Sequence, residues 1–150
     1  MATQRERPFH GFNFRVNVGS GDPESPAGGF RECTGLAIEC GVAEYRNGND
    51  PNNSPMKING PYKVPDVTLK RGVIGSLNLY QWMNDVRTGS QNALRTVTIE
   101  LLSEDHNDVA IGWTLSNARP IKYTGPALNG KGADVAIEEL VLACERIEVA

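Results

Sequence analysis

The hydrophobic period of the chain changes between Val67-Thr-Leu-Lys-Arg-Gly72 and Ser76-Leu-Asn-Leu-Tyr-Gln-Trp-Met-Asn-Asp-Val-Arg-Thr88. In the first segment, apolar Val67 and Leu69 alternate with polar residues, which predicts a short strand that runs into a turn. In the second, apolar residues recur every three or four positions, which predicts one amphipathic helix over about residues 76–88. Ser76 is suited to be the N-cap of this helix, and Gly89 stands where a C-cap falls. We expect the apolar face of the helix to pack against a sheet.

Strand patterns predominate on both sides of this strand–helix pair. Alternation of apolar and polar residues predicts strands at 12–18, twice within 30–46 with a break near Thr34-Gly35, at 97–101 and 113–115 around a polar turn at 103–108, and at 119–123. The last stretch, residues 135–149, has apolar residues of one parity, which favours a long strand. Its residues Glu138 to Glu145 also have good helix propensity, so a helix stays an alternative there. The chain is therefore predicted to be mainly β with one α-helix.

Residues 47–63 are too polar and too rich in proline to be a core element. Loops of this length are uncommon in compact domains and are usually functional or disordered. We therefore predict an extended loop here, and a shorter connecting loop over residues 19–29.

Length and charge exclude several classes of protein. The 150 residues fit a single domain over 1–150, with a flexible N-terminus at about 1–9. The net charge is −3, and the two halves of the chain carry +1 and −4. The sequence therefore has no basic stripe of the kind that binds phosphates, and we do not expect sequence-specific binding of nucleic acid. No apolar run is long enough to cross a bilayer, and the first residues lack the apolar core of a signal peptide.

The residue types that carry chemistry form no convincing site. Cys33, Cys40 and Cys144 have no metal-ligand spacing, and we interpret them as buried free thiols of a protein made in the cytoplasm. His106 stands among acidic residues, but at the tip of a predicted hairpin, where aspartate and asparagine favour turns. The sequence therefore predicts no catalytic residue, no metal site, no cofactor and no enzyme activity.

Several ordered blocks resemble the contractile-tail tube family, the inner-tube proteins of T4-like phage tails and of related contractile injection systems. The blocks are Phe12-Asn-Phe-Arg-Val-Asn17, Phe30-Arg-Glu-Cys-Thr-Gly-Leu36, Glu44-Tyr-Arg-Asn-Gly48, Thr68-Leu-Lys-Arg-Gly72, Leu79-Tyr-Gln-Trp82, Pro120-Ile-Lys-Tyr123 and Val135-Ala-Ile-Glu-Glu-Leu140. Together they span about residues 10–149. The chain departs from the family at Cys144, where members commonly have a histidine.

The resemblance implies a β-barrel or sandwich with one flanking helix and a structural role. Hexameric rings of the chain would stack into a hollow conduit for DNA or effector proteins. The implied partners are the chain itself, a contractile sheath protein, baseplate and terminator or cap proteins, and cargo in the lumen, in a phage virion tail or an injection-system particle. The residues we expect at contacts between subunits are Tyr45, Arg46, Asp50, Lys57, Tyr62, Lys70 and Arg71.

Three alternatives stay open at this point. Two share the fold: a tube-initiator or baseplate-proximal ring protein, and a ring protein of a type VI secretion system. The third is a small carbohydrate- or metal-binding β-domain, which would be monomeric.

Overall fold

The computed structural model describes residues 2–19, 29–89 and 93–150, and most of the predicted loop at 19–29 lies outside these ranges. Within them the chain forms nine strands and one helix: β1 (Phe14–Asn17), β2 (Glu32–Thr34), β3 (Glu39–Tyr45), β4 (Met56–Lys63), β5 (Val67–Gly72), α1 (Asn78–Arg87), β6 (Arg95–Leu102), β7 (Val109–Thr124), β8 (Ile137–Ala143) and β9 (Arg146–Val149). The prediction of a mainly β chain with one helix is confirmed.

Two four-stranded layers share the long strand β7. We call the layer β1-β6-β7-β9 sheet A and the layer β2-β5-β8-β7 sheet B. The strand passes from sheet A to sheet B near Asn117, which has a positive φ of 53°. The break between β8 and β9 lies opposite this point, since Arg119 pairs with Ala143 of β8 and Ser116 pairs with Arg146 of β9. The two predicted strands at 113–115 and 119–123 are therefore one bent strand, and the predicted long strand at 135–149 is two strands.

The core lies between the sheets and under the helix. Sheet A contributes Val16, Val97, Ile99 and Leu115, sheet B contributes Val67, Leu69, Leu140 and Leu142, and the helix contributes Leu79 and Trp82. The indole Nε1 of Trp82 donates to the carbonyl of Ala93 at 2.6 Å. This bond fixes the helix to the segment that leads into β6, and it offsets the cost of burying the indole N–H.

The helix begins two residues later than predicted, and Ser76 is not its N-cap. The N-cap position is Leu77, without a side-chain cap, while the hydroxyl of Ser76 donates to Oδ1 of Asn78 at 3.0 Å. The Ser76 side chain is therefore engaged with another side chain instead of the helix N–H groups. At the other end Gly89 has φ +86° and its N–H donates to the carbonyl of Val86, as a C-terminal glycine does.

The predicted loop at 47–63 is wrong over its second half. Residues 56–63 form β4, which pairs with β3 in a separate two-stranded sheet, so only residues 46–55 connect them as a loop. The composition was misleading because Pro61 lies on a strand with an open edge, where its missing N–H interrupts no pairing. A register shift between Cys40 and Val42 accommodates the neighbouring Gly60.

The N-terminal segment has no regular structure but is held at two points. The N–H of Thr3 donates to the carbonyl of Ala110, and the guanidinium of Arg5 contacts both carboxylate oxygens of Glu104, at 2.9 and 2.5 Å. The Arg5 guanidinium also lies 3.7 Å from the ring centre of Phe9. The flexibility predicted for residues 1–9 stays a prediction.

Candidate assembly surface

The β3–β4 hairpin is exposed along almost its whole length. Each of its strand residues is exposed except Gly60, and neither strand pairs with a strand of sheet A or sheet B. An isolated two-stranded hairpin is marginally stable in water, so one that projects from a domain is stabilised when another surface covers it.

The register divides the side chains of the hairpin between two faces. Cross-strand pairs Ala43–Ile58 and Tyr45–Met56 place apolar side chains together on one face near the tip. We call this set (Ala43, Tyr45, Met56 and Ile58) the hairpin apolar face. The pair Glu44–Lys57 lies on the opposite face. Because Ile58 and Met56 are 54% and 51% exposed, the hairpin apolar face is presented to solvent in the isolated subunit.

Arg46 organises the loop at the hairpin tip. Its guanidinium donates to the carbonyls of Asn52 and Asp50 at 2.8 and 2.9 Å. The carboxylate of Asp50 accepts from the N–H of Asn52, and the hydroxyl of Tyr45 lies 2.8 Å from Oδ1 of Asn47. Arg46 and Asp50 therefore shape the tip from within.

The two basic residues of strand β5 point to opposite faces of sheet B. Lys70 lies on the outer face, 3.6 Å from the carboxylate of Glu32. Arg71 is 1% exposed, and its Nη2 and Nε lie 2.6 and 2.7 Å from Oε1 of Glu138. The expectation that Arg71 contacts another subunit is therefore corrected: the period of two in a strand turns Arg71 away from the outer face of Lys70 and toward the interior of the sandwich, where it is buried.

The Arg71–Glu138 pair is the centre of a network that joins sheet B to the helix. Oε2 of Glu138 accepts from the hydroxyl of Tyr123 at 2.7 Å, which raises the pKa of the Tyr123 phenol. Arg71 also donates to Oδ1 of Asn78 at 2.8 Å, in the first turn of α1. Strands β5, β7 and β8 and the start of the helix are thus held by one satisfied set of polar groups.

Among the described residues, no strand pairs with the far side of β2 or of the second half of β7, so sheet B has an outer face and two open edges. Its strands alternate in direction, so the edge strands β2 and the second half of β7 run antiparallel to each other. The outer face carries polar Thr68, Lys70 and Glu139 beside apolar Ile137 and Val141, and a concavity of about 420 Å³ lies on it between Arg31, Thr124 and Glu139.

The residues with possible chemistry stay separate. In the turn at 103–108, the Ser103 hydroxyl and the amide groups of Asn107 bond the carboxylate of Asp105 and lower its pKa. No group of three potential metal ligands occurs in the part of the chain that the structure describes. Cys40 is exposed, contrary to the prediction that all thiols are buried, while burial raises the pKa of the Cys33 thiol to about 11. Among the described residues no helix is long and apolar enough to cross a bilayer.

Five of the seven residues expected at contacts between subunits lie on the hairpin or its tip, and that they make such contacts stays a prediction. Tyr45, Arg46, Asp50, Lys57 and Tyr62 all lie on the hairpin or its tip, as their common position in the chain suggested. Met56 and Ile58 were overlooked, although they alternate with Lys57 and Asn59 as a strand requires.

The described β-sandwich thus presents an exposed hairpin and two sheet edges without a paired strand, which are surfaces that another protein chain can cover. The family model for the T4-like virus tail tube protein gp19 matches residues 10–148, and the chain belongs to this family. It is a structural subunit of the tube of a phage tail or of a phage-tail-like injection system.

Solved structures agree with this membership. A chain of the sheath–tube complex of the extracellular contractile injection system PVC, in its extended state, is 29% identical with a TM-score of 0.83, over 97% of this chain and 93% of that one. A chain of the tube-terminating cap of the anti-feeding prophage is 26% identical with a TM-score of 0.83, over 100% and 95%. Hcp1 from Flavobacterium johnsoniae, at 13% identity and a TM-score of 0.57 over 93% and 95%, shares the fold. A comparison with curated protein sequences found no significant match.

Proposed function

We propose that the chain forms hexameric rings that stack into a hollow tube, enclosed by a contractile sheath and built on a baseplate. The observation that carries the proposal is the β3–β4 hairpin, whose apolar face is uncovered in the subunit. Removing exposed apolar side chains from water is the main favourable term in association, so this surface drives contact with a neighbour.

The edges of sheet B supply the lateral contact within a ring. Because β2 and the second half of β7 run in opposite directions, copies in one orientation join edge to edge without breaking the antiparallel order. Such a contact is heterologous, and it closes into a ring when the rotation between copies completes a circle. Closure also removes the open edges that would otherwise pair with other chains.

The outer face of sheet B would then line the channel. Its charges are of both signs, with Lys70 beside Glu32 and Glu139 on the adjacent strand. A lumen of mixed charge attracts neither DNA nor protein strongly, as a conduit for either cargo requires. We assign Tyr62 and Lys57 to the hairpin contact and Lys70 to the lumen.

The solved relatives support the partners of the tube. A sheath–tube complex and a sheath/tube terminator of the PVC system match at a TM-score of 0.83. We infer that this chain is likewise part of a phage tail or an extracellular particle, with a sheath around its outer surface and terminator and baseplate proteins at its ends. Synthesis in the cytoplasm stays a prediction.

Paired variants on β4 test the proposal. Ile58→Ser removes an apolar side chain from the hairpin apolar face, and Asn59→Ser changes the next residue, which points to the other face. Both side chains are exposed, so neither variant is expected to lower the melting temperature of the subunit measurably. By negative-stain electron microscopy and sedimentation, Ile58→Ser should raise the concentration needed for tubes about tenfold or more, while Asn59→Ser forms tubes as the unchanged chain does.

Three outcomes would count against the proposal. Equal assembly of both variants would show that the hairpin apolar face is not a contact. A chain that is monomeric at all concentrations would exclude self-assembly. Single rings that never stack, while a separate protein forms the tube, would favour the initiator or baseplate-proximal role instead.

A further inference from the structure

An apolar cleft opens between the two sheets beside strand β2. It has a volume of about 300 Å³ and lies between β1, β6 and β7 of sheet A and β2 of sheet B. Its apolar lining consists of Phe14, Cys33, Leu36, Ile99, Leu101 and Trp113. The cleft is thus the open mouth of the sandwich, on the inner side of the free β2 edge.

A pair of tyrosines lies on the inner side of the other free edge. Tyr80 of the helix contacts Tyr123 of β7 edge to face, with ring centres 6.2 Å apart. The helix packs chiefly on β7, and Tyr80 keeps 43% of its surface exposed. The inner side of this edge therefore carries an aromatic patch of Tyr80 and Tyr123.

The register of sheet B places the cleft and the patch in the same layer. Cys33 pairs with Leu69, Leu69 with Leu140, and Leu140 with Tyr123, so this row of side chains crosses the sheet from one free edge to the other on its inner face. When β2 of one copy lies beside β7 of the next, the row continues into the neighbour. The side chains next to Cys33 are then those of the neighbour's patch.

We infer that the cleft beside β2 receives the Tyr80 patch of an adjacent copy of this chain, with Tyr80 as its central anchor. The inference rests on the proposed edge-to-edge ring and adds the specific contact that closes it. A tyrosine in an apolar pocket is a common centre of binding energy, because its ring buries a large area and its two side-chain torsions lose little entropy. The hydroxyl stays near the rim, where it already accepts from Arg87 at 3.3 Å.

The contact is a heterologous one, since the cleft and the patch lie on opposite edges of the same sheet. Each copy therefore uses its patch on one neighbour and offers its cleft to the other, which permits a closed ring and not merely a dimer.

Variants on both sides of the contact test the inference. Tyr80→Ala removes the anchor, whereas Tyr80→Phe keeps the ring and loses only the exposed hydroxyl. Gly11→Leu fills the cleft from its lining, where a side chain at Gly11 meets no atom within 4 Å, and Gly130→Leu is the matched control at a loop glycine that is equally open. We expect Tyr80→Ala and Gly11→Leu to raise the concentration for ring formation roughly tenfold or more, with Tyr80→Phe and Gly130→Leu close to the unchanged chain. Thermal melts of the diluted subunits show whether each variant folds.

A photo-crosslink identifies the contact directly. A benzophenone amino acid at position 80 is used in rings mixed from unlabelled and ¹⁵N-labelled subunits, and the crosslinked peptides are identified by mass spectrometry. Crosslinks between subunits to Phe14, Leu36, Leu101 or Trp113 support the inference. Crosslinks to other surfaces, or full assembly of both Tyr80→Ala and Gly11→Leu, overturn it while the rings themselves uphold the proposed function. Absence of rings in the unchanged chain overturns both.

Discussion

Replacing Arg71 by methionine tests whether this residue acts in folding. The substitution leaves the carboxylate of Glu138 buried without its cation, and Arg71 itself is only 1% exposed. Breaking a buried ion pair by removing one partner costs about 3–5 kcal/mol. For a domain of this size, that loss lowers the melting temperature by roughly 6–20 °C.

Lys70→Met is the matched control on the same strand. Lys70 points to the outer face, and its ammonium lies 3.6 Å from the carboxylate of Glu32 with both side chains partly exposed. A pair of this kind contributes about 0–1 kcal/mol, so Lys70→Met should leave the free energy of unfolding nearly unchanged. Urea unfolding followed by the fluorescence of Trp82 and Trp113 measures both variants under conditions in which the chain is monomeric.

A double variant separates the charge from the packing. Arg71→Met combined with Glu138→Leu removes the uncompensated carboxylate, so it should be more stable than Arg71→Met alone. The reasoning is refuted if Arg71→Met and Lys70→Met unfold at the same urea concentration. It is also refuted if the double variant is less stable than the single one, since the buried charge would then not be the cause.

Three further measurements address other parts of the subunit. The Arg5 guanidinium lowers the pKa of the Glu104 carboxyl to about 2, so this ion pair is fully formed above the ordinary pKa of 4.5 and is lost as the pH falls toward 2. In Arg5→Ala, carbon NMR should find the Glu104 pKa near its ordinary value. A Glu104 pKa unchanged by the substitution would contradict the ion pair. At pH 8, iodoacetamide should modify exposed Cys40 well before Cys33, whose pKa burial raises to about 11, and equal rates by mass spectrometry would contradict that burial. Trp82→Phe removes the hydrogen-bond donor to the Ala93 carbonyl and leaves a cavity beside it. Urea unfolding should therefore show a free energy of unfolding lower by about 1–3 kcal/mol. A decrease too small to measure would contradict the role of this bond.

Local periodicity was sufficient to predict much of the fold. The alternation around Val67 and Leu69 and the three-to-four spacing through Trp82 correspond to β5 and α1, because one face of each element is buried. The helix boundary was less accurate at Ser76, because its hydroxyl bonds the Asn78 side chain, which also accepts from Arg71, instead of capping the helix.

Other features depended on contacts that the sequence does not show. Nothing near Arg71 in the chain indicates its partner Glu138, which is 67 residues away. The β3–β4 hairpin has no buried face within the subunit, so the usual contrast between an apolar and a polar side is weak there, and proline and glycine suggested a loop. A strand that becomes buried only in an assembly is difficult to detect from one chain.

The candidate assembly surface was predicted in its position and not in its composition. The residues chosen from 45–62 lie on the hairpin, because the segment was polar, long and placed between strands. The prediction favoured charged and hydroxyl-bearing side chains and left out Met56 and Ile58, which are exposed and apolar beside Tyr45.

Cryo-electron microscopy of the purified chain, concentrated without other proteins, tests the central claim most directly. Our proposal predicts stacked rings built from copies of this one chain, with the outer face of sheet B toward the channel, β2 beside β7 of the next copy, and the hairpin covered by a neighbour. A monomer at every concentration, or an assembly in which the hairpin projects freely and the edges of sheet B stay open, would contradict it.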